Sequence, residues 1–313
     1  MGGRRVAHRT KAQCLKGKSG MQIESGTLYV VATPIGNLGD ITQRALQVLA
    51  GVTRICAEDT RNSKKLLTHF GIQGQLVAIH DHNEQSKLAQ LTEWLQSGES
   101  LALISDAGTP LISDPGYHLV QHLRQQNIPV VCIPGASAII AALSIAGLPT
   151  DRFVFEGFLP AKSSGRKQAF MEKTQQTCTQ IYYESSHRIV ASVKDLAEVI
   201  EPERKVVVAR ELTKLYEQTF SGVASEVLGW LESDPNHQRG EFVMMVQGAR
   251  PAAETKGLAL EPLLTLLVKE VSVKQAAKLA SQITGHPKNA CYKIALALGA
   301  TTQSNTADTP SKP

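Results

Sequence analysis

The residues able to do chemistry in this chain gather in five short segments of its first half. These are TPIGNLGD at 33–40, AEDTR at 57–61, HDHNE at 80–84, SDAGTPLISDPGY at 105–117 and PGASA at 134–138. They mix carboxylates and hydroxyls with Gly and Pro. Carboxylates accept from hydroxyl or cationic groups of a ligand and can take up a proton, while Gly and Pro let backbone pass close to one. Taken singly, each segment is only a turn, because these are the residues turns need. Taken together they point to one cleft, provided the elements between them set all five at the same edge of a sheet.

The hydrophobic pattern meets that condition. Near-continuous apolar runs at 27–33, 52–56, 76–79, 101–105 and 130–133 lead into the five segments, and helical periodicity fills 41–50, 60–70, 84–97, 115–126 and 137–146. This alternation predicts a parallel sheet covered on both faces, with ligands in the loops past the strand ends. Asp40 with Gln43 reads as a capping box. Asp114 with Pro115 reads as an N-cap and a proline at the first helical position. After a linker at 149–151, strands at 153–157, 179–183, 205–210 and 241–247, an extended run at 216–220 and helices at 166–176, 187–200 and 223–232 predict a mixed sheet. Three helices at 260–270, 273–283 and 287–298 make a small bundle resembling a helix-turn-helix module.

The expected organisation is therefore α/β. A disordered basic leader occupies 1–25, with Met21 an alternative start. An α/β domain with a parallel sheet spans 26–148, and a second α/β domain with a mixed sheet spans 149–250. The helical bundle covers 258–299 and a disordered tail 300–313.

Composition narrows the function classes. A chain of 313 residues suggests about two domains at roughly 150 residues each. It is 42% hydrophobic and 19% charged, which excludes disorder for its bulk. No apolar run approaches the ~18 residues of a membrane span. The five cysteines are scattered without a C-x-x-C, which argues against a disulfide framework or a cysteine zinc site and for a cytoplasmic setting. The net charge of +5 invites a nucleic-acid reading. Its distribution qualifies that reading: residues 1–20 carry +6, residues 21–250 carry −4 and residues 251–300 carry +3. RNA would have to be held by a few placed cations.

Several common sites are missing. Gly17-Lys18-Ser19 lacks the earlier glycine of a phosphate-binding loop, Ala12 standing there, and follows no strand. No G-x-G-x-x-G follows the first strand, and there is no G-x-S-x-G elbow. His80-Asp81-His82 has no third ligand at a metal-binding spacing, so no metal is expected.

VATPIGNLGDIT, AEDTR, HDHNE, SDAGTPLISDPGYHLV, GFLPAK, YESSHR and ARELTK, in that order, resemble the small-subunit ribosomal RNA 2′-O-methyltransferase family. That family is a branch of the tetrapyrrole-methylase-like (class III) S-adenosylmethionine enzymes. The resemblance covers residues 27 to about 248, and the helical tail at 258–299 matches it too. It implies two α/β domains with S-adenosylmethionine in the cleft between them. It implies methylation of a cytidine ribose in the decoding region of 16S ribosomal RNA by a homodimer. Because little in the sequence suggests a broad grip on free RNA, the expected substrate is that RNA within the 30S subunit, and no membrane association is expected. Ala136-Ser137 departs from a Pro-Cys pair in many relatives, and Ser186 from Pro or Thr.

Carried over residue by residue, the resemblance assigns cofactor contacts to Pro34, Ala107, Gly108, Thr109, Ile112, Ser137, Ala138 and Glu184. Asp106 joins them because a carboxylate there could accept from the amino group of the methionine moiety. A ribose hydroxyl is a weak nucleophile, so a base should help. Asp59 and Glu184 are the candidates, with His187 a further one and late loss of the proton to solvent the alternative. Cations in or beside the motifs would contact RNA: Arg61, Lys162, Arg166, Arg188 and Arg210, with Lys167 and Lys214 also placed for it. The bundle's lysines (Lys269, Lys274, Lys278, Lys288, Lys293) suit either an RNA clamp or a packing module. Two other readings compete: methylation of a tetrapyrrole or other small molecule, and a non-enzymatic nucleic-acid binder using the tail.

Overall fold

In the computed structural model, residues 22–250 and 260–304 are described. The expected leader, apart from 22–25, and the end of the expected tail lie outside the described residues. The described residues up to Gly248 form one compact unit and the other described residues a second.

The first half of the larger unit is a five-stranded parallel sheet in the order β3-β2-β4-β1-β5. Its strands are β1 (Leu28–Val31), β2 (Arg54–Ala57), β3 (Gln75–Ala78), β4 (Leu101–Ile104) and β5 (Val130–Ile133). Leu28 of β1 lies beside Leu101 of β4 and Val130 of β5. The helices between them are α1 (Gln43–Gly51), α2 (Thr60–His69), α3 (Glu84–Gln96) and α4 (Tyr117–Gln125). The strands read as unbroken apolar runs because both faces are covered. Ile55 and Ala57 meet α1 and α2 on one face, while Cys56 meets α3 and α4 on the other. The fold class expected from the sequence is the one observed.

Two helix starts differ from expectation. Thr42 caps α1, its hydroxyl accepting from the Ala45 N–H at 3.1 Å, while Asp40 ends a short 3-10 turn. α4 begins only at Tyr117, after Gly116 at φ 122°. Asp114 and Pro115 therefore belong to the loop, and the cap comes from elsewhere: the buried Glu84 of α3 accepts from the Leu119 N–H at 2.7 Å.

The next helix, α5 (Ala138–Ile145), leaves the sheet that precedes it. Its face of Ile139, Ala142, Leu143 and Ala146 packs on Ile181, Val207, Ala209, Val243 and Met245 of the second sheet. Each large side chain buried there contributes about 1.5–3 kcal/mol. The second sheet is mixed, as expected, in the order β6-β7-β10-β8-β9. Its strands are β6 (Phe153–Phe158), β7 (Thr179–Ser185), β8 (Lys205–Arg210), β9 (Gln218–Val223) and β10 (Glu241–Val246). Only the β6–β7 pair is parallel. Its far face is covered by α7 (Ile189–Ala197) and α8 (Ala224–Ser233), and α6 (Ser163–Met171) contributes Phe170 there. α6 starts and ends earlier than the 166–176 expected, with turn following it.

The smaller unit holds α9 (Leu260–Glu270), α10 (Val273–Thr284) and α11 (Lys288–Ser304). Ser272 caps α10 and Gly285, at φ 72°, ends it. Leu263, Leu264, Ala276, Ala277, Ala280, Cys291 and Ala295 form its core. Among the described residues, no helix is long and apolar enough to cross a membrane.

Candidate active site

Neighbouring central strands β1 and β4 send their connections to opposite faces of the parallel sheet, α1 to one and α4 to the other. Such a switch point parts the loops at the strand ends and opens a crevice. A cavity of about 520 Å³ lies there, and the ends of the second sheet close it from the other side.

The first wall is stitched backbone to backbone. Thr33 and Gly108 form an isolated antiparallel bridge, with the Thr33 N–H donating at 2.8 Å and the Gly108 N–H returning at 3.1 Å. Gly108 sits at φ 81°, in the left-handed region that favours glycine. The Thr109 hydroxyl donates to the Ala136 carbonyl at 3.2 Å, tying the β4 loop to the β5 loop. Asp106 accepts from the Asp59 N–H at 3.2 Å and the Asn62 amide at 2.9 Å, tying it to the β2 loop. Asp106, Ala107, Gly108, Thr109, Ile112, Ser137 and Ala138 all line the cavity. Pro34 is buried and absent from the wall, which Ile35 reaches instead.

The second wall comes from strand ends. Phe158, Tyr183, Glu184, Leu212, Phe242 and Val243 line it. Pairing of β7 with β10 sets Tyr183 opposite Val243 and Glu184 opposite Phe242. Tyr183 stacks edge-on against Phe155 and Phe158, and its hydroxyl accepts from the Ile139 N–H in the first turn of α5. Burial, then the charge of Asp114, pushes that phenol up to about 12.

Backbone strain marks both rims. Among the described residues, five non-glycine residues have positive φ. Leu111 and Ser113 lie in the β4 loop, and Glu211 and Thr213 in the loop after β8. Each costs roughly 1–2 kcal/mol, so packing must hold these loops in place. Lys214 does so at the second rim: its ammonium lies 2.8 Å from Glu211 and 2.9 Å from Glu241, and its stem lies over Gly36 of the first half.

The charged groups fall into roles the sequence did not separate. Asp59 is the N-cap of α2, accepting from the Arg61 N–H at 2.8 Å, and its carboxylate also grips the Arg61 guanidinium at 2.7 Å. The guanidinium and that N–H hold the carboxyl down at about 2. It is absent from the cavity wall, so a general-base role for Asp59 has no geometric support. Glu184 is on the wall, but three donors hold its buried carboxylate: the Ser185 N–H, the Ser192 hydroxyl and Arg188, each at 2.8 Å. His187 is exposed and off the wall.

The expected RNA cations also divide. Arg166 and Arg210 are corrected: both are buried and spent on the fold. Arg166 pairs with Asp195 at 2.7 Å and donates to the Ala161 carbonyl, while Arg210 donates to the carbonyls of Arg239 and Tyr216 and to Gln218. Arg188 is tied to Glu184 and the Leu159 carbonyl. Arg61, its side chain 86% exposed, and the exposed Lys162 remain presented to solvent.

Sequence reasoning passed over Glu58, Asp114, Tyr183 and Glu241 on the wall. Burial, followed by the charge of Asp114, raises the Glu58 carboxyl above its ordinary range, although the Asp106 N–H donates to it. Burial likewise raises Asp114, against the opposing influence of the Ser105 hydroxyl. One signal was available: Glu58 is the first residue past β2, at the sheet edge where parallel folds place ligands.

Comparison with known proteins agrees with this geometry. A family model described as Tetrapyrrole (Corrin/Porphyrin) Methylases matches residues 27–228, and one described as RsmI C-terminal HTH domain matches 254–299. The ribosomal RNA small subunit methyltransferase I of Escherichia coli O157:H7 is 52% identical, over 87% of this chain and 95% of its own. Its namesake in Vibrio cholerae serotype O1 is 53% identical, over 86% and 94%. Among solved structures, the methyltransferase CobJ superposes with a TM-score of 0.54 at 18% identity, over 71% of this chain and 95% of its own, and so shares the fold.

Proposed function

The chain belongs to the tetrapyrrole (corrin/porphyrin) methylase family, and from that premise we propose that it methylates the ribose 2′-hydroxyl of a cytidine in 16S ribosomal RNA. The donor is S-adenosylmethionine, the acceptor is presented within the 30S subunit, and the working form is a cytoplasmic homodimer. The observation that carries the reading is the cavity between β1 and β4, built where this fold class binds ligands and matched by relatives named as ribosomal RNA methyltransferases.

The lining suits the donor. A volume of about 520 Å³ falls within the range of small-molecule sites. Ala138, Leu212, Phe242 and Val243 offer an apolar slot for adenine. Asp106, Thr109 and Ser137 offer polar contacts to ribose and amino-acid groups, over the backbone of Ala107 and Gly108. Ile112 supplies an apolar edge, Pro34 sets Ile35 against the site, and Glu184 anchors the turn that forms the far side. Bound there, S-adenosylmethionine supplies an already activated methyl group.

The protein's task is then positioning and exclusion of water, which can supply much of the acceleration. The stitched loops hold the first wall rigid, and Lys214 holds the second rim to it. Arg61 and Lys162 are proposed to steer the phosphate backbone, a contact that positions RNA without reading its sequence. The lysines of α10 and α11 are proposed as an accessory grip.

The test offers labelled S-adenosylmethionine with 30S subunits, naked 16S RNA and a tetrapyrrole, followed by mapping of any labelled nucleotide. Label at one cytidine 2′-oxygen, on 30S above naked RNA, is expected. Label on the tetrapyrrole alone overturns the proposal, and label on none favours a binding protein.

A further inference from the structure

The group that takes the ribose proton can be found by elimination along the cavity wall. Among the carboxylates there, Asp106 accepts from the Asp59 N–H and the Asn62 amide. Glu184 is held by three donors and Glu241 by Lys214. That leaves Asp114 and Glu58, and of the two Glu58 has the longer side chain and stands directly past β2, at the strand end where parallel folds place ligands; among the described residues no side chain donates to it. It is half-buried at the end of β2 and opens on the same cavity as the loops assigned to the donor.

We propose that Glu58 is the general base of the methyl transfer. The ribose 2′-oxygen forms its bond to the methyl carbon while the carbon–sulfur bond breaks, and that electron pair leaves on sulfur. The hydroxyl proton passes to the Glu58 carboxylate and later to solvent. The inference rests on the reading of the protein as a ribose methyltransferase and names the residue that reading leaves open.

The surroundings of Glu58 give this role a physical basis. Asp114 faces it from the loop before α4, Asp106 from the β4 loop and Asp81 from the β3 loop. On its own loop, Asp59 and Arg61 neutralise each other. Among the described residues, the charges that act on Glu58 are all acidic, so none of them competes with an incoming proton. Burial and these like charges raise its proton affinity, moving it toward the working pH, where a base is most effective.

The test compares wild type with E58Q and E58D on 30S subunits in single turnovers across pH, with calorimetric binding of S-adenosylhomocysteine. E58Q is expected to slow transfer ~10²-fold or more while keeping the wild-type affinity for S-adenosylhomocysteine. It should also lose the acid limb of the wild-type profile. E58D, with a shorter carboxylate, should keep that limb at a reduced rate. A third readout is independent of turnover: a raised carboxyl costs wild type stability as pH rises through its titration, and E58Q should lack that decline. Wild-type rates in E58Q overturn the proposal. So does a rate restored by excess donor, which would make Glu58 a donor-binding residue. If E58Q fails to fold, an unshifted and undiminished profile for E58D overturns it. A wild-type protein that methylates no RNA overturns the underlying reading and the proposal together, and is told apart by that control alone.

Discussion

The two halves of the catalytic unit treat charge in opposite ways. In the first, Asp59 pairs with an exposed arginine and Asp106 accepts from a backbone N–H and an amide, while Glu58 and Asp114 stay facing the cavity. In the second, most motif cations are consumed, with Lys162 the exception: Arg166 on Asp195, Arg188 on Glu184, Arg210 on carbonyls, Lys214 on two glutamates. One half keeps reactive groups available, and the other uses charge to fasten a shape. The unpaired carboxylates on the wall therefore come from the first half, and most of the cations that brace it from the second.

Substitutions can break or sharpen that contrast. The largest effect on stability is expected for R166A. It strips the buried Asp195 of its closest cation, leaving the Ser163 hydroxyl and Lys167 at 3.8 Å, at a cost of about 3 kcal/mol, so Tm should fall by roughly 6–12 °C. RNA affinity per folded molecule should not change; weaker RNA binding without a lower Tm would return Arg166 to the RNA surface and break the contrast. E184A comes next. It leaves the Ser192 hydroxyl and the Ser185 N–H without their acceptor, at about 1–3 kcal/mol. Calorimetric melting should show that loss, with weakened donor binding because the 185–188 turn loosens. E84A removes the cap on α4 and should cost about 1 kcal/mol. Its KM for the donor should rise more than kcat falls, because the β4 loop leads directly into α4.

The smallest effect is expected for R61A. An exposed pair contributes within about 1 kcal/mol, so Tm should barely move. The salt dependence of 30S binding should lose about one unit of slope. Acid unfolding supplies a second measure. With Arg61 present, Asp59 titrates at about 2, so its contribution is full above the ordinary carboxylate range and disappears as pH falls toward 2. Without Arg61 that contribution should be smaller and its loss complete at a higher pH.

Much of this architecture was legible in the sequence. Unbroken apolar strands alternating with helices foretold a sheet covered on both sides, and the Gly- and Asp-rich loops foretold the cavity at its edge. The direction of individual side chains was not legible. Asp59 and Glu58 are adjacent and of one charge. Asp59 directly precedes a helix and is taken by its N-terminus, while Glu58, one residue nearer the strand, meets the cavity. Asp114-Pro115 carried the signature of a helix start, yet Gly116 at φ 122° delays that start and a glutamate from α3 supplies the cap. Arg166 and Arg210 looked like surface cations because composition shows charge and not burial; their carbonyl partners come from loops whose approach depends on the finished sheet.

The route of α5 has a consequence for dividing this protein. A fragment ending near residue 148 would carry the whole parallel sheet but leave Ile139, Leu143 and Ala146 in water. A fragment beginning there would lack the cover for Val207, Val243 and Met245. Neither piece contains a complete interior, so separately expressed halves should be sticky and poorly soluble. Mixed together they should reassemble across that one helix, which makes its ends the natural place to split the gene for a complementation reporter.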